Sequence, residues 1–153
     1  MTDAALMPAT KDIVVDQVFP HTPAMLWQAL TTPEMMGRWL MTPTGFEPTV
    51  GNRFTYKTTP AGAWDGTIRC EVLEAIPNQR LSYSWRGGDG SNVGYGSLLD
   101  TVVDLTLTVV EGGTRLSLVH SGFEQRNDMA FCKMSEGWPK VLSQVGEIAG
   151  GVN

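Results

Sequence analysis

Residues 13–19 read Ile-Val-Val-Asp-Gln-Val-Phe, a β-rich run that Pro20 stops. Thr22 before Pro23 marks a helix start: the hydroxyl serves the first free N–H groups, and the ring costs nothing in the first turn. Met25, Leu26, Ala29 and Leu30 then share one helical face, and Met36, Trp39 and Leu40 resume the period after Thr32-Pro33-Glu34. The spacing predicts two short consecutive helices, 23–31 and 33–39. From about residue 45 the period falls to two. Five runs carry it, with inward positions Phe54-Tyr56-Thr58, Ile68-Cys70-Val72, Leu81-Tyr83-Trp85, Val103-Leu105-Leu107-Val109 and Leu116-Leu118-His120. Their intervening residues are mostly polar, the pattern of an antiparallel sheet covered on one face. Across 127–149 the helical period returns as a stripe of Phe131, Met134, Trp138, Val141, Leu142, Val145 and Ile148. Gly137-Trp138-Pro139 interrupts that stripe, and a kink or break is expected there because proline removes an N–H and clashes one turn back. Gly150-Gly151 ends the helix. Residues 1–11 show no sustained period and are expected to be disordered, leaving one domain over 12–150.

The predicted order is strand, two short helices, antiparallel meander and one long amphipathic helix, an α+β arrangement. The last helix has the stripe that the sheet's apolar face needs, so it is expected on the concave side of a curved sheet. Pro77-Asn78 and Gly112-Gly113 read as tight hairpin turns, with Val50-Gly51-Asn52 as a third. The connections 59–65 and 87–100 are long, and the second holds five glycines in fourteen residues. Successive turns of a meander alternate between the sheet's two ends. The short turns therefore share one end, and the long loops share the other with the exit near 122–127. A binding mouth belongs at the loop-rich end, with 59–65 and 87–100 as its mobile gate.

Composition narrows the function classes. The chain has 153 residues, with 42% apolar and 18% charged, enough for a core and consistent with one domain. Eleven basic against sixteen acidic residues give a net charge of −5, which disfavours nucleic acid and anionic membrane surfaces as partners. No apolar run reaches the roughly 20 residues of a membrane span. The start lacks a cationic, apolar leader, so a cytoplasmic protein with two reduced thiols, Cys70 and Cys132, is expected.

Candidate chemistry is sparse. His120 shares the inward face of its strand near the loop-rich end, either as a polar or acid–base group at the mouth or as a hydrogen-bonded structural histidine. Tyr83 is its candidate partner in proton transfer. Tyr56, Tyr83 and Trp85 either line a cavity or fill the core. Trp64 and Tyr95 are the large aromatics inside the two long loops. With Trp39, Phe54, Cys70, Leu105, Met134 and Trp138, these residues and His120 make up the expected apolar ligand site. Cys70 reads most simply as a small hydrophobe. The cysteines and the two histidines show no zinc-like spacing, and no nucleophile elbow or phosphate loop is present, so neither metal nor cofactor is expected.

A set of ordered marks resembles the START-like helix-grip (SRPBCC) superfamily. They are Pro23 with Trp27, Pro33 to Trp39-Leu40, Gly51, Gly66, Glu74-Ala75-Ile76-Pro77, Arg80-Leu81, Trp85, Gly112-Gly113-Thr114-Arg115-Leu116, His120 to Phe123, and Gly137-Trp138 before Leu142. Within it, the chain is most similar to bacterial homologues of the heat-shock-protein-90 ATPase activator, in that protein's C-terminal domain, over roughly 12–149. The resemblance implies a helix-grip fold and a small apolar ligand held between sheet and helix. It leaves two alternatives: a cyclase or hydrolase using His120 and Tyr83, and a chaperone-regulating module. The activator's chaperone role also involves a separate N-terminal domain, for which this chain has no room. Pro139 and the length of 87–100 depart from the pattern.

Overall fold

A computed structural model describes residues 10–151. The expected disordered segment 1–11 therefore falls largely outside the described residues, but Lys11 already belongs to a strand. Strand β1 spans Lys11–Phe19, followed by helices α1 (Pro23–Thr31) and α2 (Pro33–Trp39). Strands β2 (Arg53–Lys57), β3 (Thr67–Ile76), β4 (Arg80–Gly87), β5 (Leu99–Val110) and β6 (Gly113–Phe123) follow, and α3 (Asp128–Gly150) closes the chain. The strands form a six-stranded antiparallel sheet in the order β1-β6-β5-β4-β3-β2. This curved sheet with three helices is the α+β helix-grip fold.

Local chemistry sets the element ends. Thr22 Oγ1 accepts from the Met25 N–H at 3.2 Å, with Pro23 in the first turn of α1. The Trp39 indole donates to the Ala29 carbonyl at 2.8 Å and ties α2 to α1. Asn78 turns the β3–β4 hairpin with a left-handed φ of 65°. Residues 50–52 make no hairpin between two sheet strands. They are a turn into β2, preceded by an isolated Thr44–Thr55 bridge. An extra residue, Leu73, bulges from β3 between Val72 opposite Tyr83 and Glu74 opposite Ser82.

The inward strand positions are buried as their period requires, from Phe54 and Tyr56 through Leu81, Tyr83 and Leu105 to Leu118. Val109 departs from that pattern and is exposed beside the β5–β6 turn. Each large side chain so buried stabilises the fold by about 1.5–3 kcal/mol. The outer face carries cross-strand ion pairs such as Arg80–Asp104 and Arg86–Asp100.

Helix α3 runs through Pro139 without a break, against the expected interruption. The Pro139 carbonyl accepts from Gln17 Nε2 at 2.8 Å, and Gln17 Oε1 in turn accepts from Ser143, so β1 grips the helix at the proline. Leu142, Val145, Ile148 and Ala149 are buried. A Cβ on Gly146 would overlap the Phe19 ring, so glycine lets α3 and β1 approach here. The helix lies near α1, α2, β1 and β6, whereas β2–β5 stay farther off. That asymmetry leaves room for a site.

Candidate functional site

The space between α3 and the far half of the sheet is a half-open cavity of about 270 Å³. Its floor is Ile68 of β3, Trp85 of β4 and Leu99 of β5. Leu40 and Met41 close one side, and the loops after β2 and β4 contribute Thr58, Trp64, Tyr95 and Ser97. Helix α3 presents Ala130, Lys133, Met134, Gly137, Trp138 and Val141, a run of one helical face. The stripe predicted on this helix thus divides: its C-terminal half is sealed in the core, Met134, Trp138 and Val141 border the cavity, and Phe131 packs on Phe123 instead. The mouth lies at the long-loop end, where turn parity places it.

Five of the twelve expected ligand residues line this wall: Trp64, Trp85, Tyr95, Met134 and Trp138. The other seven do not. Trp39 joins the helices, and Leu105 and Cys70 are buried beneath the sheet's inner face. Phe54, Tyr56 and Tyr83 interlock edge-on or tilted at 5.2–6.5 Å between ring centroids and fill the neighbouring interior. The hydroxyls of Tyr56 and Tyr83 meet at 3.3 Å, and desolvation raises both groups above the ordinary tyrosine value. Burial likewise raises the Cys70 thiol.

His120 is fully buried, and its hydrogen bonds fix its protonation. The Trp138 indole can only donate, and it donates to His120 Nδ1 at 3.1 Å. The proton of the neutral ring is therefore on Nε2. Thr101 Oγ1 lies 2.8 Å from Nε2 and gives its own proton to the Trp85 carbonyl at 2.9 Å, so it accepts from His120. Burial lowers the imidazole from 6.5 to about 3, which keeps it neutral at ordinary pH. Both ring nitrogens are occupied and neither reaches the cavity. Of the two readings left open by the sequence, this geometry is that of a structural histidine. His120 and Tyr83 share no hydrogen bond and offer no proton path to a ligand.

The loops are held together rather than loose. Asn92 Nδ2 donates to the carbonyls of Ala61 (2.8 Å) and Gly96 (3.0 Å), and the Tyr95 hydroxyl donates to Thr59 at 2.6 Å. Gly88 has φ 79° and packs against the Ser97 carbonyl, a place closed to any Cβ. Asn127, buried just ahead of α3, donates to Ser97 Oγ and the Leu98 carbonyl at 3.0 and 2.8 Å. The glycine count of 87–100 predicted a segment with little to restrain it. Its asparagine and tyrosine supply the restraint.

Sequence reasoning missed Leu40, Ile68, Leu99, Lys133, Gly137 and Val141 as wall residues. One signal was available: Ala130 and Gly137, seven apart, put small residues on one face of a stripe of large ones. A Cβ on Gly137 would meet nothing within 4 Å.

Both cysteines are free, Cys70 buried and Cys132 exposed. Among the described residues no helix is long and apolar enough to cross a membrane, and no three potential ligands gather as for a metal.

Comparison with known proteins places this architecture. Protein MLL2253 from Mesorhizobium loti is 33% identical with a TM-score of 0.79, over 94% of this chain and 99% of that one. Bacillus halodurans BH1534 is 21% identical with a TM-score of 0.72, over 94% and 99%. CalU16 from Micromonospora echinospora is 23% identical with a TM-score of 0.69, over 93% and 78%. No functionally curated protein matches the sequence. The model of the activator of Hsp90 ATPase homolog 1-like proteins matches residues 20–150, and the chain belongs to that family.

Proposed function

We propose that the protein binds a small apolar molecule in the cavity between α3 and β3–β5, as a binding protein of the cytosol rather than an enzyme. One observation carries this reading: the fold leaves about 270 Å³ open beside three tryptophans and several aliphatic side chains, in a wall with few polar groups. Such a surface gains from covering. The family includes proteins described as activators of a chaperone ATPase. An interaction module of that kind calls for a flat apolar patch, whereas the exposed large apolar residues here, such as Val14, Val50, Val93 and Val109, lie on separate elements. A catalytic reading needs convergent polar groups with free proton traffic, which His120 and Tyr83 lack.

The test is a native mass spectrum of protein purified from cells, followed by titration of the delipidated protein with medium-chain alcohols and aromatic hydrocarbons. The expected results are a small-molecule adduct lost on denaturation and a shift in tryptophan emission from the cavity indoles. A bare protein mass together with no emission change for any compound rules the reading out.

A further inference from the structure

The cavity's polar groups are few, and their hydrogen-bond accounts do not balance. Trp64 and Trp138 give their indole N–H groups to the Thr67 carbonyl and to His120. The Trp85 N–H has no acceptor among the described residues, although Trp85 is only 3% exposed. No described side-chain nitrogen or oxygen that is sealed from solvent lacks a partner. The Trp85 N–H is therefore not sealed, and the space this residue borders is the cavity. Ser97, also 3% exposed, repeats the pattern. Its oxygen accepts from Asn127, while its proton meets no acceptor among the described residues. Lys133 lies exposed at the rim without an ion pair and is the one charged side chain in the wall, again among the described residues. The Gly96 carbonyl, an acceptor of this wall, is already taken by both Asp89 N–H and Asn92 Nδ2.

Two buried neutral donors and one ammonium, with no carboxylate among the residues of the wall, call for an acceptor-only negative group. We propose that the occupant is an apolar carboxylate. Its hydrocarbon body lies among Ile68, Trp64 and Trp138, and its headgroup is met by Lys133, Ser97 and Trp85. This rests on the binding reading above and adds the ligand's chemical class. A carboxylate offers about four lone-pair sites and no proton, matching donors that have nothing else to bond. The chain's net charge of −5 does not cancel the attraction, because salt limits each charge's reach to about 8 Å and Lys133 is local. At roughly 30 Å³ per water, the space equals about nine waters, near the bulk of an eight-carbon acid.

Calorimetric titration with octanoate, 1-octanol and methyl octanoate at neutral pH tests this. The parent protein is expected to bind octanoate at least about tenfold tighter than 1-octanol, since charge-assisted hydrogen bonds exceed neutral ones. Lys133→Met should erase that preference, so that octanoate binds this variant no tighter than 1-octanol does. Trp85→Phe, which keeps the ring but not the donor, should weaken octanoate several-fold more than octanol. Equal affinities in the parent, or a preference that survives Lys133→Met, overturn the inference while the alcohol and ester still report the cavity. Failure of all three compounds to bind overturns both this inference and the binding reading.

Discussion

Gly137 offers the sharpest separation between stability and binding. It sits inside α3, faces the cavity, and has nothing within 4 Å of the place a Cβ would take. A glycine inside a helix costs about 0.5–1 kcal/mol relative to alanine, so Gly137→Ala should stabilise the protein by that amount. For a chain of this size, such a gain raises Tm by about 1–4 °C. Gly137→Leu has nearly the same helix propensity and places four carbons in the open space. At about a water's volume each, roughly 30 Å³, they take up on the order of 100 Å³ of the 270 Å³ available. The leucine variant should therefore melt at or above the parent temperature while losing at least about tenfold in affinity for 1-octanol. Thermal denaturation followed by circular dichroism gives the first quantity, and calorimetry gives the second. A leucine variant that melts well below the parent shows that the space is not open. One that melts normally and binds normally shows that the ligand sits elsewhere.

Three further outcomes follow from the described contacts. His120 is held from 6.5 down to about 3, so below 6.5 the unfolded chain takes up a proton that the folded chain refuses. Its contribution to stability should fall by about 1.4 kcal/mol per pH unit between those values, and nitrogen NMR should show a neutral Nε2–H ring at pH 5; an imidazolium signal there would refute the assignment. Gly146→Ala should cost about 1–3 kcal/mol through overlap with the Phe19 ring, and Phe19→Leu in the same chain should recover part of that loss; additive losses in urea denaturation would contradict the contact. Thiol titration after denaturation without reductant should count two groups, Cys70 and Cys132, and a count of zero would require a bridge.

The elements were legible because local rules and burial agree along most of this chain. Proline after threonine placed both short helices at the bounds observed, Pro23–Thr31 and Pro33–Trp39. One buried face imposed the period of two on β2, β3, β5 and β6, while in β4 Ser82 and Ser84 of the other face are buried as well. The site was harder to read because strand parity says which face a residue joins, not what stands opposite. Tyr83 and Trp85 have the same parity on β4 and both pack on Tyr56, yet only Trp85 also borders the cavity. That difference comes from where α3 lies, which a long-range packing decision fixes. His120 is a similar case, since its partners Thr101 and Trp138 are 19 and 18 residues away. Pro139 shows the reverse: a local rule predicted a kink or break, and α3 continues through it unbroken, bonded there to Gln17, which also takes Ser143.

The His120 network also bears on how the cavity keeps its shape. A single proton order runs from one of the wall's three indoles to the backbone of another: Trp138 donates to His120, His120 to Thr101, and Thr101 to the Trp85 carbonyl. Reversing any one bond would require an indole to accept or a carbonyl to donate, so the order has no equivalent alternative. The Trp138 indole is thereby held by His120, and the Trp85 indole packs against it at 6.2 Å between centroids. The opposite wall is built differently. The loops after β2 and β4 bond to each other through Asn92 and Tyr95, and Asn127 ties the second to the chain just before α3. A rigid aromatic floor set in advance reduces the ordering cost of binding.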